Sequence, residues 1–327
     1  MKFLVIGDLH IGKTYFPFLK FSMNKDFKDE KLVSFWEIWS NRLILYVQSV
    51  ILKVFKQYPL EQITIVFLGD IVDNIKIDPL LLDKLFKVEI LSFILNLRPD
   101  CNISIVVGNH DKNKKTQVIG SSILKKFNDY GNRVKIYEET TLQDSERPII
   151  YFPYIRREEL IQNLVDFKLK NSNLENCIVF AHNQIYVNDS FGITPMFQKK
   201  DIQNALNISK SVIINGHNHC YHYEPDFLLT GSVGPTSMKE SFQSSGICLY
   251  DSKTSKIQTF KNNKMVFMSI SSKEFLDQLL VLLDYAKESN CMVALQMSKD
   301  LKKHVKDISK KFCDIIVATS LKEAYND

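Results

Sequence analysis

The stretch VIINGHNHCYHYE, residues 212–224, places three histidines within six positions, directly after an apolar run. The whole chain of 327 residues has only seven histidines. The apolar run is rich in β-branched residues and too short for a helix, so it predicts a buried strand. Gly216 allows a turn at the strand end, and the spacing of His217 and His219 lets both imidazoles reach neighbouring metal ions. The stretch therefore predicts a strand that ends in metal ligands.

Four other short apolar runs end in the same way, with Gly or Ala followed by a side chain that can bind a metal ion. The runs and their polar residues are KFLVIGDLH with Asp8 and His10, ITIVFLGD with Asp70, ISIVVGNHD with Asn109, His110 and Asp111, and CIVFAHN with His182. In open α/β sheets, sites form beyond the carboxyl ends of the strands, so these side chains should meet in space. A single Asp or His after a strand is usually a cap or a surface group, but five such strand ends together indicate a metal site.

Composition sets the class of protein without selecting a partner. Hydrophobic residues make up 45% of the chain and charged residues 24%, which is typical of a globular protein. The net charge is +5, from 42 basic and 37 acidic residues. A small basic excess permits a polyanion such as nucleic acid as partner, but a solvated surface rich in Lys explains it equally well.

The six cysteines form no C-x-x-C pair and have no regular spacing, which favours a reduced, cytoplasmic protein. The N-terminal segment has too few apolar residues before Asp8 for a signal peptide. The most apolar long segment, residues 43–52, is too short to span a bilayer. We therefore expect no transmembrane helix and no membrane partner.

The motif series GD-x-H, GD-x-x-D, GNHD, H and GH-x-H resembles the calcineurin-like metallophosphoesterase superfamily, over roughly residues 1–262. The resemblance implies an α/β fold, the α/β/β/α sandwich of that superfamily, with a dinuclear metal site that often holds Mn²⁺. By position, it implies one ion held by Asp8, His10, Asp70 and His219, and a second held by Asp70, Asn109, His182 and His217, with Asp70 as the bridge.

The chemistry of these donors agrees with two divalent ions, with Mn²⁺ as the expected metal. Mixed carboxylate, imidazole and amide ligands suit Mn²⁺, Fe or Zn²⁺ better than Ca²⁺ or Mg²⁺. The resemblance implies that His110 faces the substrate, where it would stabilise the transition state or protonate the leaving oxygen. It also implies that Asp111 orients either His110 or the loop. Asp73 is also predicted to belong to the catalytic set, although the chain departs from the family here, since many cellular members carry at this position a His that is thought to contact the phosphodiester.

The finer motifs resemble the DNA nuclease branch, namely the SbcD nucleases and the nuclease subunit of the double-strand-break repair complex. GDLHIGK fits that branch, and YFPYIRREELI, residues 151–161, is similar to its LPYIR-type segment. Asn74 stands where a protein phosphatase would have its phosphate-binding Arg, and Asp73 resembles the phage recombination nucleases. We therefore predict a Mn²⁺-dependent DNA exonuclease and endonuclease in DNA recombination, repair or replication.

Two alternatives stay open. The first is another metallophosphoesterase, which acts on a small or protein-bound phosphate. The second is a scaffold on the same fold without catalysis, although such scaffolds lose ligands and this chain keeps the full ligand set.

The sequence divides into a nuclease domain, residues 1–262, and a β-α-β-α-β unit, residues 263–327, whose position matches the capping domain of the nuclease family. Within the DKNKK run, the residues that we expect to contact DNA are Lys112, Lys114 and Lys115. Ser271 and Glu274 predict a capping box in the second unit. The surplus segment after the first motif, residues 15–39, is expected to shape the substrate entrance or a homodimer contact.

DNA is the expected partner. An SMC-like coiled-coil ATPase of the SbcC type is a further candidate partner, weakened because no coiled-coil-binding helices follow the second unit.

Overall fold

The computed structural model describes most of the chain. The described residues are 1–12, 30–113, 120–171, 174–186, 197–234, 246–262, 265–270, 276–289, 291–298 and 316–322, together with Leu301, His304, Ile308 and Lys311. Lys114, Lys115, Ser271, Glu274 and the first part of the surplus segment lie outside them.

The strands alternate with helices through most of the chain. The strands are β1 (Lys2–Ile6), β2 (Ile63–Phe67), β3 (Asn102–Val106), β4 (Val134–Tyr137), β5 (Thr141–Gln143), β6 (Ile149–Phe152), β7 (Ile178–Ala181), β8 (Ile185–Tyr186), β9 (Phe197–Gln198), β10 (Val212–Asn215), β11 (His222–Glu224), β12 (Phe227–Leu229), β13 (Ile247–Asp251), β14 (Lys256–Phe260), β15 (Met265–Ile270), β16 (Met292–Ser298) and β17 (Ile316–Lys322). The helices are α1 (Glu30–Gln57), α2 (Pro79–Leu82), α3 (Phe93–Leu97), α4 (Arg157–Lys170), α5 (Lys199–Leu206) and α6 (Leu276–Glu288).

Two six-stranded sheets form the body of the protein. The first has the order β14-β13-β1-β2-β3-β4, and the second has the order β11-β12-β10-β7-β6-β5. Strands β1 to β4 are parallel, as are β6, β7, β10 and β12, while the outer strands β5, β11, β13 and β14 pair antiparallel. The parallel strands of each sheet therefore end at a common edge, where the predicted ligands begin.

The strands alternate their side chains between two apolar layers, as residues on a strand must. In β1, Phe3 and Val5 pack in the cluster between the two sheets, and Leu4 packs in the outer cluster that includes residues of α1. The inner layer is rich in aromatic contacts, such as Phe3 with Phe180 at 5.1 Å between ring centroids. A third cluster joins α4 and α5 to the outside of the second sheet. This layering confirms the predicted α/β/β/α sandwich.

A continuous helical run follows β2 and packs on the outside of the first sheet. Asp78 caps its N-terminus by accepting a hydrogen bond from the backbone N–H of Leu80 (2.9 Å), and Pro79 is the first helical residue. The run passes from α2 through a π-helical stretch, Asp83–Ser92, into α3. Pro lacks the N–H that a first helical residue leaves unpaired, so it starts a helix well. Asp78 and Pro79 therefore define the start of this helix.

A small parallel sheet, in the order β15-β16-β17, lies in the C-terminal part of the chain. Helix α6 connects β15 to β16. This part of the chain has an apolar cluster of its own, which includes Leu279, Leu283, Val293, Leu301 and Ile308. The described elements follow the predicted β-α-β-α-β pattern through the first three, and most of the residues predicted to form the second helix lie outside the described part of the chain. None of the described helices is long and apolar enough to cross a lipid bilayer.

Candidate metal centre

The centre lies where the carboxyl ends of strands from both sheets face each other. Asp8 follows β1 and is fully buried. Its Oδ1 accepts a hydrogen bond from the backbone N–H of His217 (3.2 Å), which follows β10. This contact joins residues 209 positions apart in the sequence, so the strand-end rule brings the predicted ligands together across the sandwich.

One group of donor atoms is formed by Asp8, His10 and His219, and their ligand atoms lie within 4.8 Å of one another. His219 Nε2 is 3.4 Å from Asp8 Oδ2 and 3.1 Å from His10 Nε2. Asp70 Oδ2 is 3.8 Å from His10 Nε2. These four residues are the set that the sequence predicts for the first ion.

A second group of donor atoms adjoins the first. Asp70 Oδ2 lies 3.3 Å from His182 Nε2. Asn109 Oδ1 lies 2.9 Å from His217 Nδ1 and 3.3 Å from His182 Nε2. The ligand atoms of Asp70, His182 and His217 lie within 4.8 Å of one another. Because Asp70 contacts histidines of both groups, its carboxylate stands at their junction.

The donors fit divalent metal ions. Asp8 Oδ2 is buried without a hydrogen-bond partner among the described residues, a costly arrangement unless another positive group meets that oxygen. His10 and His219 bring two ring nitrogens within 3.1 Å of each other, an arrangement that a cation held between the two rings accounts for. Carboxylate, imidazole and amide donors converging in this way suit a transition-metal pair.

Buried charges shift the pKa values of this cluster strongly. Burial raises the pKa of Asp8 to about 6, although His182 opposes the change. Burial also opposes the ionised form of Asp70, but His182 and His10 hold its pKa well below the usual range. Burial opposes the charge on His182, yet Asp70 raises its pKa to about 9. Burial and the charge on His182 lower the pKa of His217 to about 3, which leaves this imidazole neutral and able to bind a metal. Metal binding would therefore release protons from the cluster.

The backbone at several ligands is left-handed. His10 has φ 49°, Asp70 has φ 46° and His217 has φ 65°. This region is uncommon for residues other than Gly. Gly108 is required for a different reason, since a Cβ there would lie 2.2 Å from Asp70 Oδ1. The loops are thus shaped closely around the carboxylate of Asp70.

His110 lies beside the donor groups and is only partly buried. Its backbone N–H donates to Asp70 Oδ1 (2.8 Å). Its Nδ1 is 2.6 Å from the backbone oxygen of Asp73, which can only accept, so Nδ1 carries the proton of the neutral ring. Its ring lies edge-on to that of His10, with centroids 5.0 Å apart. Nε2 is then the nitrogen left for a substrate oxygen.

Asp73 and Asp111 support the loops around the centre. Asp73 Oδ1 is 3.2 Å from His10 Nδ1, on the side of the ring away from His219. Asp111 Oδ2 accepts from the Gly108 N–H (2.9 Å) and its Oδ1 accepts from the Val72 N–H (3.1 Å). Burial, with help from the charge on Asp70, raises the pKa of Asp111 to about 7. Of the two predicted roles for Asp111, the contacts match the one that orients the loop.

Three further residues, which the sequence reasoning did not single out as site residues, organise the same edge. Asn215 Oδ1 accepts from the Asn183 N–H (3.0 Å), and Asn183 Oδ1 accepts from the Ile155 N–H (3.1 Å). This buried amide pair holds the segment after β6, which carries Tyr154. The Tyr154 ring lies 5.7 Å from that of His217. The sequence signal for the two Asn residues is their place next to a metal motif, Asn183 after His182 and Asn215 before Gly216, and Tyr154 belongs to the YFPYIRREELI segment.

A family model described as calcineurin-like phosphoesterase matches residues 1–221, a range that includes all the predicted ligands. No curated protein matches the chain. Among solved structures, a 5'-nucleotidase precursor from Thermus thermophilus is 11% identical, with a TM-score of 0.36, over 80% of this chain and 54% of that chain. The chain thus spans about half the length of that structure.

Proposed function

The chain belongs to the calcineurin-like phosphoesterase family, whose members hydrolyse phosphoesters with divalent metals, and on that premise we propose that it is a Mn²⁺-dependent nuclease that cleaves phosphodiester bonds in DNA. Two ions would be held by Asp8, His10, Asp70, Asn109, His182, His217 and His219. When bound, such ions polarise the phosphoester, neutralise its charge and make water a stronger nucleophile.

The protein's own groups supply the remaining steps. Hydrogen bonds of Asp70 and Asp73 fix the backbone and the ring of His110. When both ring nitrogens of His110 carry a proton, the proton on Nε2 can pass to the leaving oxygen of the ester, and this help is worth roughly 10²- to 10⁴-fold in rate. Asp111 keeps the loop of residues 108–110 in place through two backbone N–H groups. Because water is the nucleophile, the hydrolysis needs no protein nucleophile.

The choice of DNA as substrate rests on the position of the YFPYIRREELI segment. It leaves β6 at the same edge as the ligands, and Tyr154 lies beside His217. An aromatic ring at the edge of a phosphoester site can stack against a nucleobase. Asn74, in place of an Arg, is exposed and accepts from the Lys76 N–H (3.0 Å). The position next to Asp70 therefore lacks the phosphate clamp that a protein phosphatase would have.

The experiment compares three substrates under identical conditions. Purified protein with Mn²⁺ is incubated with end-labelled DNA, a dye-linked phosphodiester and a dye-linked phosphomonoester. We expect cleavage of DNA and of the diester, with little action on the monoester. Asp70→Asn serves as the inactive control for contaminating nucleases. Hydrolysis of the monoester alone, or of both dyes without DNA, would replace this proposal with a small-substrate phosphoesterase.

A further inference from the structure

A polar cleft of about 570 Å³ opens beside the metal centre. One wall is formed by residues 138–142, which are the connection after β4 and the first two residues of β5, and the other wall is a face of α4. On α4 the lining positions are Glu159, Asn163, Asp166, Phe167 and Lys170. Their spacing of three and four residues places them on one side of the helix. The cleft is therefore a defined groove between two elements of the second half of the sandwich.

The cleft adjoins the metal centre through two of its lining residues, Tyr154 and Lys112. Tyr154 lies between the groove and the ring of His217. Lys112 follows Asp111 directly in the loop that carries Asn109 and His110. A molecule in the groove can consequently be joined to a phosphate at the centre.

Lys112 is a buried cation with few partners. Only 2% of its surface is exposed. Its Nζ makes one long hydrogen bond among the described residues, to the backbone oxygen of Glu138 at 3.4 Å. An ammonium group has three donors, and a buried charge with unused donors is costly. An anionic oxygen at the centre's end of the groove would meet this need.

The rest of the groove does not suit a run of phosphates. Beyond Lys112 its charged lining residues are two bases, Arg156 and Lys170, and four acids. The acids are Glu138, Glu139, Glu159 and Asp166. Arg156 is already paired with Glu159. A second phosphate would meet these carboxylates and be repelled, so the groove favours a ligand with a single phosphate at one end.

The remaining lining groups suit a sugar and a base. Thr140, Thr141 and Asn171 offer hydroxyl and amide groups, and Leu142 and Phe167 add apolar surface. Volumes of roughly 300–1,000 Å³ are typical of sites for small ligands. Tyr154 gives an aromatic face near the centre, and stacking of a base on such a ring is worth about 1–3 kcal/mol.

From these features we propose that the groove is a nucleotide subsite, which binds the sugar and base attached to the scissile phosphate while Lys112 contacts a phosphate oxygen. This inference rests on the proposed nuclease function, since the nucleotide is taken to be the terminal residue of a DNA strand, which carries only the scissile phosphate. It assigns to Tyr154 and α4 a role in holding the substrate.

The test is calorimetric binding of deoxyadenosine monophosphate, deoxyadenosine and inorganic phosphate to the full chain in EDTA. We expect the monophosphate to bind most tightly. Asn163→Trp fills the groove from an exposed position of α4 and should raise the dissociation constant at least tenfold above that of Asn163→Ala. Both variants lose the hydrogen bond from Thr140 to Asn163 (2.8 Å), so their difference isolates the filled space. Lys210→Ala, at an exposed ion pair with Glu175, is the unaltered control.

Lys112→Met tests the phosphate end separately. The variant should bind the monophosphate no better than the nucleoside. Equal affinity of the two Asn163 variants for the monophosphate would overturn the subsite. Binding of inorganic phosphate without binding of the monophosphate would overturn it as well. If wild-type protein binds the monophosphate in the groove but does not cleave DNA, the nuclease proposal is overturned and the subsite stands.

Discussion

The Asp73 carboxylate lies 3.2 Å from Nδ1 of His10, and the opposite nitrogen of that ring faces His219 and Asp70. A carboxylate that accepts from a ligating imidazole fixes its tautomer and orientation. Asp73 is therefore a positioning residue for His10 in the proposed mechanism, as well as the residue whose backbone oxygen holds His110.

Removing this contact should weaken metal binding rather than the chemical step. We expect Asp73→Ala to lower metal affinity by about 10- to 100-fold, the usual cost of losing such a partner. Activity should return as the Mn²⁺ concentration is raised. The metal affinity of Asp73→Asn, whose amide oxygen can still accept from His10 Nδ1, should lie between those of wild type and Asp73→Ala. Metal titrations followed by calorimetry and by turnover measure this. An activity deficit that persists at saturating metal would indicate direct contact of Asp73 with the substrate.

Asp70 is predicted to hold both ions, because its carboxylate contacts histidines of both donor groups. Asp70→Ala should reduce the metal content from two ions per chain to none while the protein stays folded. Asp70→Asn keeps an acceptor for the His110 N–H and should also lose both ions, since it lacks the charge. Elemental analysis of gel-filtered protein, with circular dichroism for folding, gives the result. Two ions retained in either variant would refute the bridging assignment.

His110 is predicted to act on the substrate, although its ring atoms also lie within 4.8 Å of donor atoms of His10 and Asp70. His110→Ala should retain both ions and its affinity for DNA while turnover falls by roughly 10²-fold or more. Metal analysis beside single-turnover kinetics separates the two roles. A variant that has lost one ion would make His110 a ligand.

Lys112 is predicted to cost stability. Burial lowers its pKa below the ordinary value of 10.5, against the smaller opposing effects of Glu138 and Asp111. Between the lowered pKa and 10.5 the unfolded chain binds more protons than the folded one, so stability should rise with pH in that alkaline window. At neutral pH the full penalty is present, and Lys112→Met should raise the free energy of unfolding.

Urea unfolding of wild type and Lys112→Met at pH 7 and at pH 10 measures this difference. The variant should be more stable at pH 7, and the gap should narrow at pH 10. A less stable variant at pH 7 would mean that the neighbouring carboxylates need the ammonium for folding.

Residues 265–327, which include the small parallel sheet, are predicted to help hold DNA. Their deletion should reduce cleavage of duplex DNA far more than cleavage of a dye-linked diester, because the predicted metal ligands all precede them. Each lost phosphate contact also lowers the slope of log affinity against log salt by close to one unit. Salt-dependent binding of a folded truncation tests this, and an equal loss on both substrates would leave the segment a structural role only.

The sequence predicts the position of the centre better than its contacts. Apolar runs that end at Asp8, Asp70 and His217 are sufficient to predict a shared edge, because parallel strands end together. The pairing of His182 with Asp70 depends on the strand order of both sheets and on how the sheets face each other. No local pattern records that order. The contact of Asp73 with His10 depends on two loops whose backbones run alongside each other at Ile11 and Val72, and periodicity says nothing about such loops.

The left-handed backbone at His10, Asp70 and His217 lowers the stability of the fold at positions that the metal ligands must occupy. Such a conformation costs about 1–2 kcal/mol for each residue that is not Gly, a substantial fraction of the stability of an ordinary domain. Glycine at these positions would relieve the strain and remove the ligands. A descendant of this chain that no longer needed catalysis would therefore gain stability by drifting toward glycine at these sites. Selection for hydrolysis would maintain Asp and His at these three positions. In a lineage that has lost activity, substitutions should therefore appear there first.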